Sequence, residues 1–401
     1  MTRQQGEMQT GFGAELRRRR MAAGLSLRDL AALVHYTRGH LSKVETGHAW
    51  ASPELGRLCD AALNADGALI TLTRAADTAG VAGVPALPAI QQWPDLSLRG
   101  LVGASEARAA ADAFQDVFTR MRALGQRVRP AFLLQPLIAH GQTLSGLAVS
   151  ASGADKARLL GLAARITEYA GWMAQEAGDD RAALSLTEQA VELATAAGDE
   201  VMNVYAQLRR SLISLYRDDS GTTIDLARYV QTDPRAPGRV RGLAALREAQ
   251  GHALAGAGSD CYRALDRARD QLDTAGTEAG ELSLGTSAVP DLAAMISGWC
   301  LYDLGQPLRA AEILSQETSR IPPSASRARA RYGTRCALAY VMAGEVDVAC
   351  QLTRALLPEV RDVGSATIRI EFRRLAKVLN RWPAHPGIRE LQPGINSVLT
   401  G

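Results

Sequence analysis

The chain has 401 residues, enough for two or three domains, and its 47% hydrophobic and 22% charged content excludes a wholly disordered protein. Net charge is only +3, but residues 1–75 hold ten basic and seven acidic side chains, so the whole excess lies in the first fifth and the remainder balances. No apolar run approaches the roughly 18 residues of a membrane span, and Met1 to Gly11 lacks a signal peptide's apolar stretch, so a cytoplasmic protein is expected.

The first legible element is a helix from about Phe12 to Ala23, stopped by Gly24. Ser26 then caps a helix over Leu27–Val34, with Asp29 in its first turn where the helix dipole favours a carboxylate. Thr37 opens a further helix over Arg38–Thr46, ended by Gly47, and Ser52-Pro53-Glu54 opens another that runs to about Leu63. Two short helices joined by a tight turn form the core of a helix-turn-helix. Leu27, Leu30, Ala31, Val34, Leu41 and Val44 make the face that packs them together. The second helix then presents Arg38, Gly39, His40, Ser42 and Lys43, which can reach base edges or phosphates in a major groove. Arg17 and Arg18 are candidates for phosphate contacts.

The string Gly24-Leu25-Ser26-Leu27-Arg28-Asp29-Leu30-Ala31, followed by Leu41-Ser42-Lys43-Val44-Glu45-Thr46-Gly47, resembles the Cro/xenobiotic-response-element type of regulator. The resemblance implies a lambda-repressor-like five-helix domain over 12–75 that acts as a dimer on two-fold double-stranded DNA operators. It implies that Thr37, Arg38, Gly39 and Lys43 lie nearest the bases and Arg28 near a phosphate. It also implies a structural pair between Arg20 and Glu45. Members of that type often carry Gln where Leu27-Arg28 stand.

Residues 76–103, with Pro85, Pro88 and Pro94, read as a linker. From Ala104 to the end the chain is rich in Ala, Leu and Arg with helical periodicity and almost no strand signal, so an all-α protein is expected. Small residues recur at a fixed spacing in this zone: Gly171, Gly178, Ala183; Gly298, Gly305, Ala310; Ala337, Gly344, Ala349; and, with one residue inserted, Gly251, Gly258, Ala264. A fifth copy has its break at Asp218–Gly221. The period is about 40 residues, with an expanded connection near 274–289.

This small–turn–small pattern, with Ala190 and Tyr340 at further matching positions, resembles the tetratricopeptide repeat over roughly Leu159 to Pro358. The fold expected is therefore an all-α chain in which a helix-turn-helix domain precedes a tetratricopeptide-like α-solenoid over 104–401. In that register the inner face holds Arg165, Glu168, Trp172 and Gln175, then Arg209 and Tyr216, Glu248 and His252, Trp299 and Tyr302, and Arg331. The architecture resembles peptide-pheromone-responsive regulators of Gram-positive bacteria and a group of actinobacterial regulators. That implies a peptide or small-molecule effector, or a protein partner, in the solenoid groove. The chain has only four asparagines, which disfavours the backbone-holding scheme of the peptide receptors.

No phosphate loop, H-E-x-x-H or G-x-S-x-G occurs, and Cys59, Cys261, Cys300, Cys336 and Cys350 are scattered with no C-x-x-C. No enzymatic activity, cofactor or metal is expected. A homodimeric, sequence-specific transcriptional regulator follows, with a DNA-binding scaffold for a protein partner as the alternative.

Overall fold

Helix-favouring sequence with glycine and capping punctuation dictates the outcome: every regular element among the described residues is an α-helix. The structure is a computed structural model describing residues 3–49, 51–74, 104–275, 284–285 and 288–400. The linker expected over 76–103 lies outside them. No described helix is long and apolar enough to cross a membrane.

Five helices form the N-terminal unit: α1 (Arg3–Ala22), α2 (Leu27–Leu33), α3 (Arg38–Glu45), α4 (Pro53–Ala62) and α5 (Ala68–Arg74). Ser26 and Asp29 make a reciprocal capping box on α2, Thr37 caps α3, and Ser52 caps α4 with Pro53 in its first turn. The buried carboxylate of Asp60 accepts from the backbone N–H of Gly67 (2.8 Å) and Leu69 (2.9 Å), tying the start of α5 to α4.

α6 (Ala104–Gly125) and α7 (Ala131–Ser150) precede six helical hairpins. These are α8 (Gly153–Ala177) with α9 (Asp180–Ala196), α10 (Val201–Tyr216) with α11 (Ser220–Thr232), and α12 (Gly238–Ala255) with α13 (Gly258–Thr274). Then follow α14 (Leu292–Asp303) with α15 (Pro307–Ser319), α16 (Ser326–Met342) with α17 (Val346–Val363), and α18 (Ala366–Leu379) with α19 (Pro386–Thr400). Successive hairpins stack into an α-solenoid whose inner layer is the even-numbered helices from α8 to α18. The small residues of the repeat sit where helices touch. A Cβ on Gly171 would lie 3.2 Å from the Ala183 carbonyl of α9, and one on Gly298 would lie 2.9 Å from Leu314 of α15. Gly251 departs from this pattern, because it faces Ile224 of the preceding α11, while Gly242 faces Leu272 of α13.

The solenoid curls until its ends meet, with α18 packed on α8. The buried carboxylate of Glu176 on α8 accepts from Arg327 Nη1 (2.9 Å), Ser365 Oγ (2.7 Å), Thr367 Oγ1 (2.8 Å) and Arg331. Arg327 also donates to the carbonyls of Gly125 (2.8 Å) and Val128 (2.6 Å) beyond the C-terminus of α6, where a cation is favoured. Burial pushes the Glu176 carboxyl up, but the two guanidiniums and two hydroxyls outweigh it and hold it down at about 2.

The N-terminal unit shares one continuous apolar core with the solenoid. It rests on a row of hairpin turns. Gly67 meets Gly256, the α14–α15 turn at Gly305 meets Arg57 and Ala61, and Gly344 lies against the His35 ring. At Gly256, φ is +78° and a Cβ would fall 2.3 Å from the Gly67 Cα. Gly256→Ala is therefore expected to lift α5 off the solenoid, beyond the ~1 kcal/mol of backbone strain itself. Hydrogen exchange should show α5 amides losing protection while the α8–α9 hairpin keeps its own. Unchanged α5 protection would contradict this docking.

Candidate nucleic-acid interface and solenoid cavity

α3 meets the rest of its unit through Leu41 and Val44, which are buried, and this turns the other side outward. Thr37, Arg38, Gly39 and Lys43 are exposed, and His40 and Ser42 are half-buried. The Thr37 hydroxyl is committed to the cap, accepting from the His40 backbone N–H at 3.2 Å. A Cβ at Gly39 would touch nothing within 4 Å, so packing does not demand glycine there. Arg28 at the start of α2 is exposed, as are Arg17 and Arg18; Arg18 is paired with Glu15 at 2.6 Å on the surface of α1.

Two contacts fix the angle of α3. Arg20 clamps Glu45 through two bonds (2.6 and 2.9 Å) and donates to the Leu25 carbonyl (2.8 Å), joining α1, the loop before α2 and the end of α3. At Gly13 of α1 a Cβ would fall 2.3 Å from the Val44 carbonyl, so only glycine lets these helices cross so closely. A third contact comes from the far end of the chain. The Arg381 guanidinium lies 3.5 Å from the centroid of the Tyr36 ring and donates to the His35 carbonyl, while His40 stacks on the same Tyr36 ring at 5.4 Å. Burial, then Arg381 and Lys43, push the His40 imidazole down.

Residues 12–72 match the family model described as a helix-turn-helix domain. No curated protein and no solved structure matches the chain. The match makes this unit a helix-turn-helix domain and points to DNA-binding regulation.

Behind that domain, the inner layer of the solenoid lines a cavity of about 380 Å³, within the range of small-molecule sites. Arg165, Glu168, Trp172, Arg209 and Arg331 line it. Glu168 lies 3.4 Å from Arg209 Nε, and burial pushes its carboxyl up against the pull of Arg209, Arg165 and Arg122.

The other inner-face expectations need correction. Gln175 is buried beside the cavity, where its side-chain oxygen accepts from Arg209 (3.2 Å). Glu248 and His252 point away from it, between α11 and α13: Glu248 takes Arg228 (2.9 Å), Gln231 (2.8 Å) and Arg267 (2.6 Å), with His252 at 3.4 Å. Tyr216, Trp299 and Tyr302 are packed further along, toward the helix-turn-helix domain. Arg335 fills the space over Trp299 at 3.3 Å from its ring centroid, Tyr216 meets the Trp299 ring edge, and Tyr302 is buried beside Arg57. The space left between Tyr216, Trp299 and Arg335 is only about 10 Å³, room for no more than a water.

Sequence periodicity missed six wall positions that carry the chemistry: Arg122, Tyr169, Tyr205, Arg247, Arg327 and Tyr332. Leu284 and Gly285, from the expanded connection, also reach the wall. Gly285 accepts from Arg122 (3.4 Å) and Leu284 from Arg239 (3.2 Å) through their carbonyls.

Proposed function

We propose that this chain is a homodimeric, sequence-specific transcriptional regulator, a binding protein without catalysis, whose tetratricopeptide-like solenoid senses a small-molecule effector. The observation that carries the DNA half is the outward row Arg38, Gly39 and Lys43 on the second helix of the matched domain. The effector half rests on the recessed cavity among the inner helices, whose volume of about 380 Å³ suits a small molecule better than a protein surface.

A route from hollow to DNA follows from two helices. Arg327 and Arg331 of α16 face the cavity, and one turn on, Arg335 approaches Asp303 (3.6 Å). Asp303 ends α14, whose Ile296 lines the cavity, and it lies 3.6 Å from Arg57 of the DNA-binding unit. An effector that binds two solenoid curvatures unequally would shift the helix-turn-helix units of a dimer in or out of the ~34 Å spacing of operator half-sites.

The DNA half is tested on an operator selected from random duplexes. Arg38→Ala should relax preference at one base pair, by about 1–3 kcal/mol. Arg17→Ala should weaken all sequences alike and lower the slope of log affinity against log salt by about 0.9. Equal loss on every sequence for both variants contradicts the role given to Arg38.

A further inference from the structure

We propose that the cavity takes a small organic anion, an apolar or aromatic body bearing a carboxylate or phosphate head; this rests on the effector-sensing reading above. Six arginines and one glutamate line the wall. Four of the arginines are answered by acids: Glu176 takes Arg327 and Arg331, Asp199 takes Arg165, and Glu168 lies 3.4 Å from Arg209. Arg247 is not. No carboxylate lies within ion-pair distance of it among the described residues, and its side chain bonds the neutral amide of Gln250. Arg247 is half-buried, and desolvation pushes its guanidinium down, as expected of a partly dehydrated charge with no counter-ion.

Two further N–H groups of wall arginines, Arg165 Nη1 and Arg331 Nε, are shielded from water and lack any acceptor, and Arg209 Nε has only the long approach to Glu168 at 3.4 Å. Unanswered buried donors are rare and costly; one group of them, on Arg57 and Arg335, lies around Asp303, and these belong to arginines around the hollow. A carboxylate or phosphate, which accepts several charge-assisted bonds from guanidinium forks, answers them together. The remainder of the wall sets the body. Leu243, Leu246 and Ile296 offer aliphatic surface, and Trp172 and Tyr332 offer ring faces. A neutral apolar ligand would fill the space and leave Arg247 unpaired. A cation would be repelled.

The test is calorimetric titration of the full chain with 2-naphthoate, 2-naphthyl phosphate and the neutral 2-naphthamide at fixed ionic strength. At least one anion should bind one-to-one and at least tenfold tighter than the amide, and the ranking of the two anions separates a carboxylate site from a phosphate site. Arg247→Leu should abolish that preference, keep amide binding, and raise the thermal midpoint of the ligand-free protein, since an unpaired, half-buried charge is removed; a purely structural arginine would lower it. Arg247→Lys should keep part of the preference, and Arg247→Gln repeats the comparison if the leucine variant does not fold. Equal affinity for amide and anions, no anion binding at millimolar concentration, or retained preference in Arg247→Leu overturns the proposal. Gel shifts on the selected operator separate the two readings. Anion binding that leaves operator affinity unchanged removes the sensing function and keeps the site. Absent anion binding with the Arg38 result intact removes the site and keeps the DNA function.

Discussion

Glu176→Ala is expected to lower stability by about 3–5 kcal/mol, the usual cost of breaking a buried ion pair from one side. Glu176 is the acid of α8 at the point where the solenoid closes, holding Arg327 and Arg331 from α16 and Ser365 and Thr367 from the segment that begins α18. Its removal strands two guanidiniums, and Arg327 is only 2% exposed. Arg327 retains the carbonyls of Gly125 and Val128, so the loss should fall mainly on the seam with α18 and not on the α6 junction. Urea denaturation measures it. A fall below about 1 kcal/mol would show that the seam does not hold the ring closed.

The same carboxylate gives a pH signature. Its folded-state value is held down at about 2 against an ordinary 4.5. A depressed acid contributes stability that is fully present above the ordinary value and is lost as pH falls from about 4.5 toward 2. Glu176→Gln, which keeps the shape and removes the titration, should flatten stability across that window. An acid limb as steep as the wild type would assign it to other carboxylates.

Local rules made the N-terminal unit legible. Ser26, Thr37 and Ser52 start the helices they were read to start, Gly24 takes the left-handed backbone that ends α1, and Leu30, Val34, Leu41 and Val44 are buried. The glycine spacing likewise marks the hairpins around Gly178, Gly305 and Gly344. Which way the inner helices face was less legible. α12 is buried on nearly every side, sandwiched between α11 and α13, so no apolar stripe distinguishes inside from outside, and Glu248 and His252 fall on the wrong side of a projected register. Trp172 and Trp299 occupy equivalent repeat positions, yet one lines a hollow and the other is covered by Arg335. Ring closure makes that difference. It depends on pairs such as Glu176 with Arg327, 151 residues apart, which helical periodicity does not report. The seating of the DNA-binding unit on three turns is long-range in the same sense.

Asp303→Ala is expected to release the helix-turn-helix domain from the solenoid without unfolding either. Asp303 is 2% exposed and lies 3.6 Å from both Arg57 and Arg335. Arg335 keeps Glu371 at 2.9 Å when Asp303 is lost. Arg57 has no such reserve, since its Nε and Nη1 already lack hydrogen-bond acceptors and Asp303 is the acid that holds its guanidinium up against burial. A buried charge left alone costs about 3–5 kcal/mol, but α4 can recover its hydration by lifting off the Gly305 turn, so undocking caps the loss. Hydrogen exchange should therefore show α4 and α5 losing protection while α14 and α16 keep theirs. Affinity for the selected operator should survive, because the exposed side of α3 is untouched, whereas any response of that affinity to a cavity ligand should vanish. If Asp303→Ala retains the ligand response, the path through α14 and Arg57 is not the one that couples cavity to DNA. If α14 and α16 lose protection along with α4, Asp303 holds up the solenoid itself, and the domain's seat is secured by Arg381 on Tyr36 and by the glycine turns.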